Sequence, residues 1–337
     1  MNYIKKAAEN YVTFPMILNL ELTDVCPLNC PYCYKNLEMT HNIDFSLLYR
    51  IIDEFAENGG RHILLSGGEP LLYPYLIEAI KKCSDANLTT AISTSGYGVS
   101  ETKLKDLFEA GLNSLYISLN SHIPEINELS RDGYELAINA MKLCQMLSLP
   151  YKLNTVIRHD NVWHLQELIE FSHSHGADGI DLLSNKPNSN GEISSPLEPG
   201  DLYEIIDIIN RNEKYLSYQK CFTQLSTYFN KIRGKAKLDS ILKGCPAGKY
   251  SIAIFSDGFY APCPHSAEKE KFDSILDYWT TSKTLKKYRN KSNGYRRECE
   301  SCLYKTYCSP CIVFPIYRHC LTEICEDGEG YNESITV

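Results

Sequence analysis

The stretch MILNLELTDVCPLNCPYC, residues 16–33, places three closely spaced cysteines directly after an apolar run. Met16–Leu22 is predicted to be a strand, because apolar residues dominate a short run that ends in polar residues. Cys26, Cys30 and Cys33 follow in a loop, where their thiolates can converge on one point. Three thiolates are one fewer than a closed zinc site or a fully cysteine-ligated iron–sulfur cluster needs. The spacing therefore indicates either a cluster with one open iron or a zinc site.

Beyond this stretch, short apolar runs alternate with longer amphipathic ones, as in a series of β/α units. The predicted strands are Met16–Leu22, Arg61–Ser66, Leu88–Thr94, Ser114–Asn120, Tyr151–Ile157 and Gly179–Ser184. The predicted helices are Asp44–Asn58, Pro74–Ala86, Glu101–Ala110, Gly133–Leu147 and Val162–His175. Strands this apolar are typical of a parallel sheet buried on both faces. We therefore predict an α/β fold, a partial (β/α)6 barrel of parallel strands followed by a C-terminal cysteine-rich domain.

The regular alternation ends at Lys186–Gly200, which is rich in Pro, Ser, Asn and Gly and is predicted to be a linker or lid. Helices are expected at Asp201–Asn212 and Gln224–Ile232. From Gly244 the chain is rich in cysteine and turns, with one predicted hairpin at Tyr250–Ala261. We therefore expect a barrel over residues 1–200, a helical linker over 201–243 and a cysteine-rich domain over 244–337.

The composition excludes several classes of protein. With 43% hydrophobic and 23% charged residues, the 337-residue chain is ordinary for a globular protein. A net charge of −8 argues against a dedicated nucleic-acid binder, which usually carries a basic face. The apolar runs fall far short of the ~20 residues of a membrane span. We expect no nucleic-acid or membrane partner and a cytoplasmic location, where the fourteen cysteines stay reduced.

The C-terminal third holds a second set of cysteines in closely spaced pairs. The chain reads G-C-P-A-G from Gly244, and C-E-S-C-L-Y-K-T-Y-C-S-P-C from Cys299 to Cys311. The members of the set are Cys245, Cys263, Cys299, Cys302, Cys308, Cys311, Cys320 and Cys325. Pairs separated by two residues suit structural zinc and iron–sulfur clusters alike, so spacing alone leaves both open.

The first loop, C-P-L-N-C-P-Y-C, resembles the C-x-x-x-C-x-x-C motif of the radical S-adenosylmethionine (SAM) superfamily, including the aromatic Tyr32 before the third cysteine. The resemblance implies that Cys26, Cys30 and Cys33 hold a [4Fe–4S] cluster whose open iron chelates the amino and carboxylate groups of S-adenosylmethionine. Reductive cleavage would give a 5′-deoxyadenosyl radical that abstracts hydrogen from substrate. The electron would come from a donor such as flavodoxin or ferredoxin.

Further motifs support the same resemblance. Ser66–Pro70, S-G-G-E-P, matches the family's G-G-E motif, and Ser93–Gly96 resembles a segment that lies near the cofactor. Glycines allow the backbone to approach a ligand closely. The resemblance implies that Glu69 and the backbone hold the methionine ammonium. The positions it implies for cofactor binding are Gly67, Gly68, Glu69, Pro70, Ser93, Ser95, Ser118, Asn120, Asn154 and Leu183.

The cysteine-rich region resembles the C-terminal extension known as SPASM, which implies two auxiliary [4Fe–4S] clusters. The ligands of one would be Cys299, Cys302, Cys308 and either Cys320 or Cys325. The ligands of the other would be Cys245, Cys263 and Cys311. The gap before Cys311 is one residue shorter than the family pattern. The extra cysteine that the family sometimes has shortly after the first is absent, with Ser251 near that place, so the fourth ligand of this second cluster stays open.

Enzymes with these two parts often modify peptides or proteins, as the peptide and sulfatase maturases do. The resemblance therefore implies post-translational oxidation, crosslinking or epimerisation of a peptide. Radical oxidation or rearrangement of a small molecule, such as a sugar or alcohol, is an alternative, and a non-catalytic zinc-binding scaffold is another. The first strand begins by residue 16, so a peptide leader is expected to need a separate recognition protein or a different surface. No residue is assigned as the catalytic acid or base.

Overall fold

The computed structural model describes residues 11–35, 40–220, 222–232, 244–290, 297–300, 302, 305, 307–308 and 310–313. Its strands are β1 (Ile17–Thr23), β2 (His62–Gly67), β3 (Thr89–Thr94), β4 (Ser114–Ser118), β5 (Tyr151–Ile157), β6 (Ile180–Ser184), β7 (Leu216–Tyr218), β8 (Ser251–Ile254), β9 (Phe259–Ala261) and β10 (Glu270–Lys271). Its helices are α1 (Phe45–Glu57), α2 (Leu76–Asp85), α3 (Glu101–Glu109), α4 (Pro124–Glu128), α5 (Tyr134–Leu147), α6 (Leu165–Ser174), α7 (Pro199–Arg211), α8 (Thr223–Ile232), α9 (Ile275–Thr281) and α10 (Lys283–Arg289).

One sheet contains these ten strands, in the order β10-β9-β8-β1-β2-β3-β4-β5-β6-β7. Every pair from β8 through β1 to β7 is parallel, whereas β9 pairs antiparallel with β8 and β10. The six predicted strands are parallel neighbours in chain order, which confirms the predicted fold class. β7 extends this row, although at three residues it is too short to be predicted from periodicity.

Helix α1 shows how the sequence positions these units. The Asp44 carboxylate accepts a hydrogen bond from the Leu47 N–H at 2.9 Å, which caps the start of the helix. Apolar residues then recur three and four positions apart and are at most 2% exposed: Leu48, Ile51, Ile52 and Phe55. Burying each of these side chains contributes ~1.5–3 kcal/mol. Gly59, at φ +95°, follows the end of the helix, as predicted.

The C-terminal residues build on the same sheet. The predicted hairpin is confirmed by β8 and β9, which Gly258 connects at φ +78°. Trp279 of α9 donates from Nε1 to the Val12 carbonyl at 3.0 Å, close to the start of β1. The Glu54 carboxylate of α1 accepts from two N–H groups at the start of α9, each at 2.9 Å. The predicted boundary near residues 235–243 lies outside the described residues, so the division into three parts stays a prediction.

The predicted linker or lid at Lys186–Gly200 lies against the cysteine loop. The Ser189 N–H donates to the Cys33 carbonyl at 2.9 Å. Farther along, the buried Arg158 donates to the Ser194 hydroxyl at 3.1 Å, which fixes the segment to the end of β5. The segment thus lies against the loops that follow β1 and β5. None of the helices in the described ranges has both the length and the apolar character to cross a membrane.

Candidate active site

A cavity of about 450 Å³ opens beside the carboxyl ends of β1 to β6, the edge where parallel α/β sheets bind ligands. The predicted residues on its wall are Cys26, Cys30, Cys33, Gly67, Gly68, Glu69, Ser93, Ser95, Ser118, Asn154, Leu183, Cys245, Cys263 and Cys311. Pro70 and Asn120 do not line the cavity. Pro70 begins a buried 3-10 turn, and the Asn120 side chain bonds to the Ser130 hydroxyl and the Val156 N–H.

The three N-terminal cysteines are half-buried free thiols. The loop turns back on itself, because the Cys33 N–H donates to the Cys30 carbonyl at 3.0 Å. Burial raises the pKa of Cys26, opposed by the Leu28 N–H. Burial likewise raises the pKa of Cys30, opposed by the Arg131 guanidinium. The raised pKa favours the protonated thiol at Cys26 and Cys30, so metal binding at these two residues would release protons.

Gly68 fixes the cysteine loop to the end of β2. Its N–H donates to the Thr23 carbonyl at 2.6 Å, and the Glu69 N–H donates to the Val25 carbonyl at 2.8 Å. A Cβ atom on Gly68 would lie 2.3 Å from the Val25 oxygen and 2.6 Å from the Asp24 oxygen. Both are backbone atoms, which cannot swing aside as a flexible side chain can. Only glycine permits this approach of β2 to the residues before Cys26.

Glu69 connects the ends of β2 and β3. It is 1% exposed, and its Oε2 atom accepts from the Ser95 N–H at 2.9 Å and from the Ser95 hydroxyl at 2.5 Å. Its Oε1 atom accepts from the Thr94 hydroxyl at 2.7 Å and the Leu71 N–H at 3.2 Å. Burial raises the pKa of Glu69, while the hydrogen bonds from Ser95 and Thr94 oppose the rise. The cavity wall therefore carries a rigidly held carboxyl group.

Asn154 presents an unused acceptor to the cavity. Its Nδ2 donates to the Ser93 hydroxyl at 3.0 Å, which connects β5 with β3. Its Oδ1 is buried and has no hydrogen-bond partner among the described residues. Buried polar atoms are nearly always paired in folded proteins, so this oxygen is suited to accept from a ligand hydroxyl.

Arg131 is a wall residue that the sequence analysis did not select. Its guanidinium donates to the Tyr32 hydroxyl, and its buried Nε has no partner among the described residues. Guanidinium groups bind carboxylates through two parallel hydrogen bonds, in a bidentate geometry. No local pattern points to this residue, because Arg131 lies 99 positions from Tyr32 and meets it only in the fold.

Part of the second cysteine set shares the cavity with the first. Cys245, Cys263 and Cys311 are half-buried and lie on the same wall. Tyr34 lies between the two sets: burial raises its pKa well above the usual value, and Cys33 and Cys263 add to the rise. The fold therefore brings the predicted ligands of one auxiliary cluster to the chamber that the N-terminal cysteines line.

The remaining cysteines lie elsewhere. Cys299, Cys302 and Cys308 are half-buried and do not line the cavity. Cys320 and Cys325 lie outside the described residues, so this auxiliary set stays a prediction. Among the residues that the structure describes, no three His, Cys, Asp or Glu side chains are grouped as ligands of a single metal ion.

A polar cluster occupies the β6 side of the wall. The Lys186 Nζ lies 3.1 Å from the Gln219 Oε1 and 3.1 Å from the His265 Nε2. The His265 ring packs on the Tyr34 ring with centroids 4.1 Å apart. Burial lowers the pKa of His265 well below its usual range, and the Lys186 ammonium adds to the effect. His265 is thus neutral and accepts at Nε2. The sequence predicted no role for these residues.

A second cavity of about 380 Å³ adjoins the first, and Tyr34, Lys35 and His265 line both. Lys35 forms an ion pair with Glu21 and lies 3.6 Å from the Asp24 carboxylate. Burial raises the pKa of Glu21 to about 7, against the opposing effect of Lys35. The ion pair therefore connects Lys35, two positions after Cys33, to Glu21 of β1.

The wall fits the cofactors that the sequence implies. S-adenosylmethionine carries an ammonium, a carboxylate and ribose hydroxyls. The wall offers the Glu69 carboxylate, the Arg131 guanidinium and the unpartnered Asn154 oxygen, beside three free thiols. Each ligand group therefore has a partner of complementary charge or hydrogen-bonding type.

Known proteins resemble this chain over most of its length. The family model of the radical SAM superfamily matches residues 20–172, from β1 into α6. An AdoMet-dependent heme synthase of Methanosarcina barkeri is 25% identical over 320 residues, which cover 88% of this chain and 91% of that protein. A PqqA peptide cyclase of Methylobacterium nodulans is 26% identical over 317 residues, which cover 86% of this chain and 78% of that protein.

The fold has a solved counterpart. Streptococcus suis SuiB bound to its precursor peptide SuiA superposes with a TM-score of 0.77 at 19% identity, covering 92% of this chain and 75% of that chain. At 19% identity, this superposition shows that the two chains share a fold.

Proposed function

This chain is a radical SAM enzyme, and from that premise we propose that it oxidatively modifies a peptide. The observation that carries the proposal is the single cavity shared by two sets of cysteines, Cys26, Cys30 and Cys33 on one side and Cys245, Cys263 and Cys311 on the other. If both sets held clusters, a substrate between them would lie beside one centre that supplies the radical and one that could accept an electron. The PqqA peptide cyclase relative and the peptide-bound SuiB structure support a peptide as the substrate.

The family's cofactors, a [4Fe–4S] cluster and S-adenosylmethionine, supply a 5′-deoxyadenosyl radical when bound. Cys26, Cys30 and Cys33 would hold the cluster. Arg131 would bind the methionine carboxylate, because its guanidinium contacts the cysteine loop. Glu69 would hold the ammonium.

The other strand ends would hold the nucleoside. Asn154 would accept a ribose hydroxyl at its unpartnered Oδ1, and Ser118 lies on the same wall. The apolar Leu183 would border the adenine. The segment at Lys186–Gly200 would limit the access of water, since it covers the cysteine loop.

The two auxiliary clusters are part of the proposal. Cys245, Cys263 and Cys311 would hold the one that faces the substrate. The other cluster would be held by Cys299, Cys302 and Cys308 with Cys320 or Cys325. It would lie between the first auxiliary cluster and an external electron carrier such as flavodoxin or ferredoxin. A cytoplasmic location is part of the proposal, because the cysteines that would ligate the clusters stay reduced there. A separate peptide-recognition protein is a further proposed partner.

A small-molecule substrate is the second candidate. The heme synthase relative covers 88% of this chain and 91% of its own length, so the same two-part architecture serves a substrate that is not a peptide. The family match favours an enzyme over a non-catalytic zinc-binding scaffold.

Product analysis tests the proposal. The anaerobic, reduced enzyme is incubated with S-adenosylmethionine and with short peptides encoded near its gene, and each peptide is weighed by mass spectrometry. Net oxidation removes two hydrogens. One peptide should therefore become lighter by the mass of two hydrogens after incubation with the wild-type enzyme, but not with Cys30→Ala. Formation of 5′-deoxyadenosine without change in any peptide, together with oxidation of a small molecule, would instead support the second candidate.

A further inference from the structure

The β6 side of the main cavity carries a fixed ammonium group. Lys186 directly follows the end of β6 and has two partners, the amide oxygen of Gln219 and the Nε2 atom of His265, each at 3.1 Å. An ammonium has three N–H donors, and these acceptors take two of them. The third donor is left for a group inside the cavity.

Neither partner neutralises the charge of Lys186. Gln219 is an amide, and a ring nitrogen that accepts from an ammonium belongs to a neutral imidazole. No carboxylate among the described residues lies within 4 Å of this ammonium. A cation that is partly removed from water is stabilised by a nearby anion, so the site favours an anionic ligand.

The charges on the rest of the wall point the same way. Among the described lining residues the basic ones are Lys35, Arg131, Lys186 and Lys220. Lys35 is paired with Glu21, and Arg131 contacts the cysteine loop. Glu69 is the sole carboxylate that the described residues place on this wall, and it lies at the end of β2. Lys186 therefore makes the β6 side of the wall positively charged.

We propose that Lys186 binds a carboxylate of the substrate and so selects acidic peptides. This inference rests on the proposed function, because it assigns the substrate class to the same cavity. The ammonium donates to the incoming carboxylate while Gln219 and His265 keep it in place. A charge-assisted hydrogen bond of this kind is worth about a tenfold preference over the matching amide.

The carboxylate can come from an acidic side chain or from the end of a peptide, and three matched tripeptides distinguish these sources. Ac-Ala-Glu-Ala-NH2 offers a side-chain carboxylate, Ac-Ala-Gln-Ala-OH a terminal one, and Ac-Ala-Gln-Ala-NH2 neither. Their affinities for the holoenzyme with S-adenosylmethionine are measured by isothermal titration calorimetry. We expect at least one acidic peptide to bind about tenfold more tightly than the neutral peptide.

Four variants keep the test specific to Lys186. Lys186→Gln removes the charge, and Gln219→Glu places an isosteric carboxylate beside the ammonium and neutralises it, so both should abolish the preference. Lys186→Arg should retain part of the preference, whereas the exposed surface control Lys105→Gln, whose side chain pairs with Glu101, should retain all of it. The affinity for the neutral peptide is the reference in each protein and should match that of wild type in Lys105→Gln.

The outcomes are separable from those of the proposed function, since calorimetry requires no turnover. Equal affinities for the three peptides, or no measurable binding of either acidic peptide, would overturn the proposal. So would a Lys186→Gln protein that keeps the preference but has an altered cluster absorption spectrum, because Lys186 would then balance the charge of the metal centre. A peptide that binds as expected but is never modified would count against the proposed function alone.

Discussion

Replacing Gly68 with alanine tests how strictly the cysteine loop depends on its contact with β2. The added Cβ would lie 2.3 Å from the Val25 oxygen and 2.5 Å from the Val25 carbonyl carbon. Relieving such an overlap costs ~1–3 kcal/mol. The shift would also stretch the hydrogen bonds from Gly68 to Thr23 and from Glu69 to Val25, each worth ~0.5–1.5 kcal/mol.

The free energy of unfolding should therefore fall by about 2–6 kcal/mol in Gly68→Ala. Because Val25 directly precedes Cys26, the displacement should also reduce the iron bound by the N-terminal loop and the yield of 5′-deoxyadenosine. Urea unfolding of the metal-free protein measures the first effect, and iron analysis with product quantification measures the second.

Gly200→Ala is the matched control. A Cβ at Gly200 meets nothing within 4 Å, and the residue lies in the first turn of α7, where alanine is the better helix former by at most ~1 kcal/mol. This variant should keep full iron content and unfold no more easily than wild type. A Gly68→Ala protein with wild-type stability, iron and product yield would refute the geometric reasoning.

Three further predictions concern charge and metal. Glu69→Gln turns an amide NH2 toward the Ser95 donors, so equilibrium dialysis should show S-adenosylmethionine binding about tenfold more weakly, and unchanged binding would contradict the assigned role. The Asp201 hydrogen bond raises the pKa of His159. The stabilisation of the folded state by this hydrogen bond is therefore complete below the ordinary His pKa of ~6.5, and it is lost as pH rises through the raised pKa of His159 in the folded protein. The melting temperature of His159→Asn should accordingly fall below that of wild type in acid and approach it in base; a pH-independent difference would exclude this linkage. Cys302→Ala should lose auxiliary iron and sulfide yet still form 5′-deoxyadenosine, since Cys302 does not line the cavity; a complete loss of cleavage would contradict this.

The fold was predictable where the pattern is local. Helix α1 follows from the Asp44 cap, the apolar spacing and Gly59, and the six parallel strands follow from their apolar runs. The pairing of β8 with β1 was not predictable, because periodicity identifies a strand but not its neighbour across more than two hundred residues. Helix α4, with only five residues, offered too little periodicity.

The residues of the candidate site likewise fall into those that local motifs predict and those that depend on tertiary contacts. The cysteine loop and the Gly67–Glu69 turn are contiguous motifs, and the structure brings both to the cavity wall. Arg131 and Lys186 were missed because their significance arises from tertiary neighbours, the Tyr32 hydroxyl in one case and the Gln219–His265 pair in the other. Asn120 was predicted to bind the cofactor because it is near a strand end. Its side chain instead bonds to the Ser130 hydroxyl and the Val156 N–H and does not line the cavity.

The most direct test of the central claim, that three N-terminal thiolates support radical chemistry, is the quantity of 5′-deoxyadenosine formed by the anaerobic, dithionite-reduced protein with S-adenosylmethionine. Cys83 provides the control, because it is a buried thiol within α2 and away from the cavity. We expect product from wild type and Cys83→Ala, and none from Cys30→Ala. Product from Cys30→Ala at the wild-type rate would rule out a required role for the N-terminal thiolates.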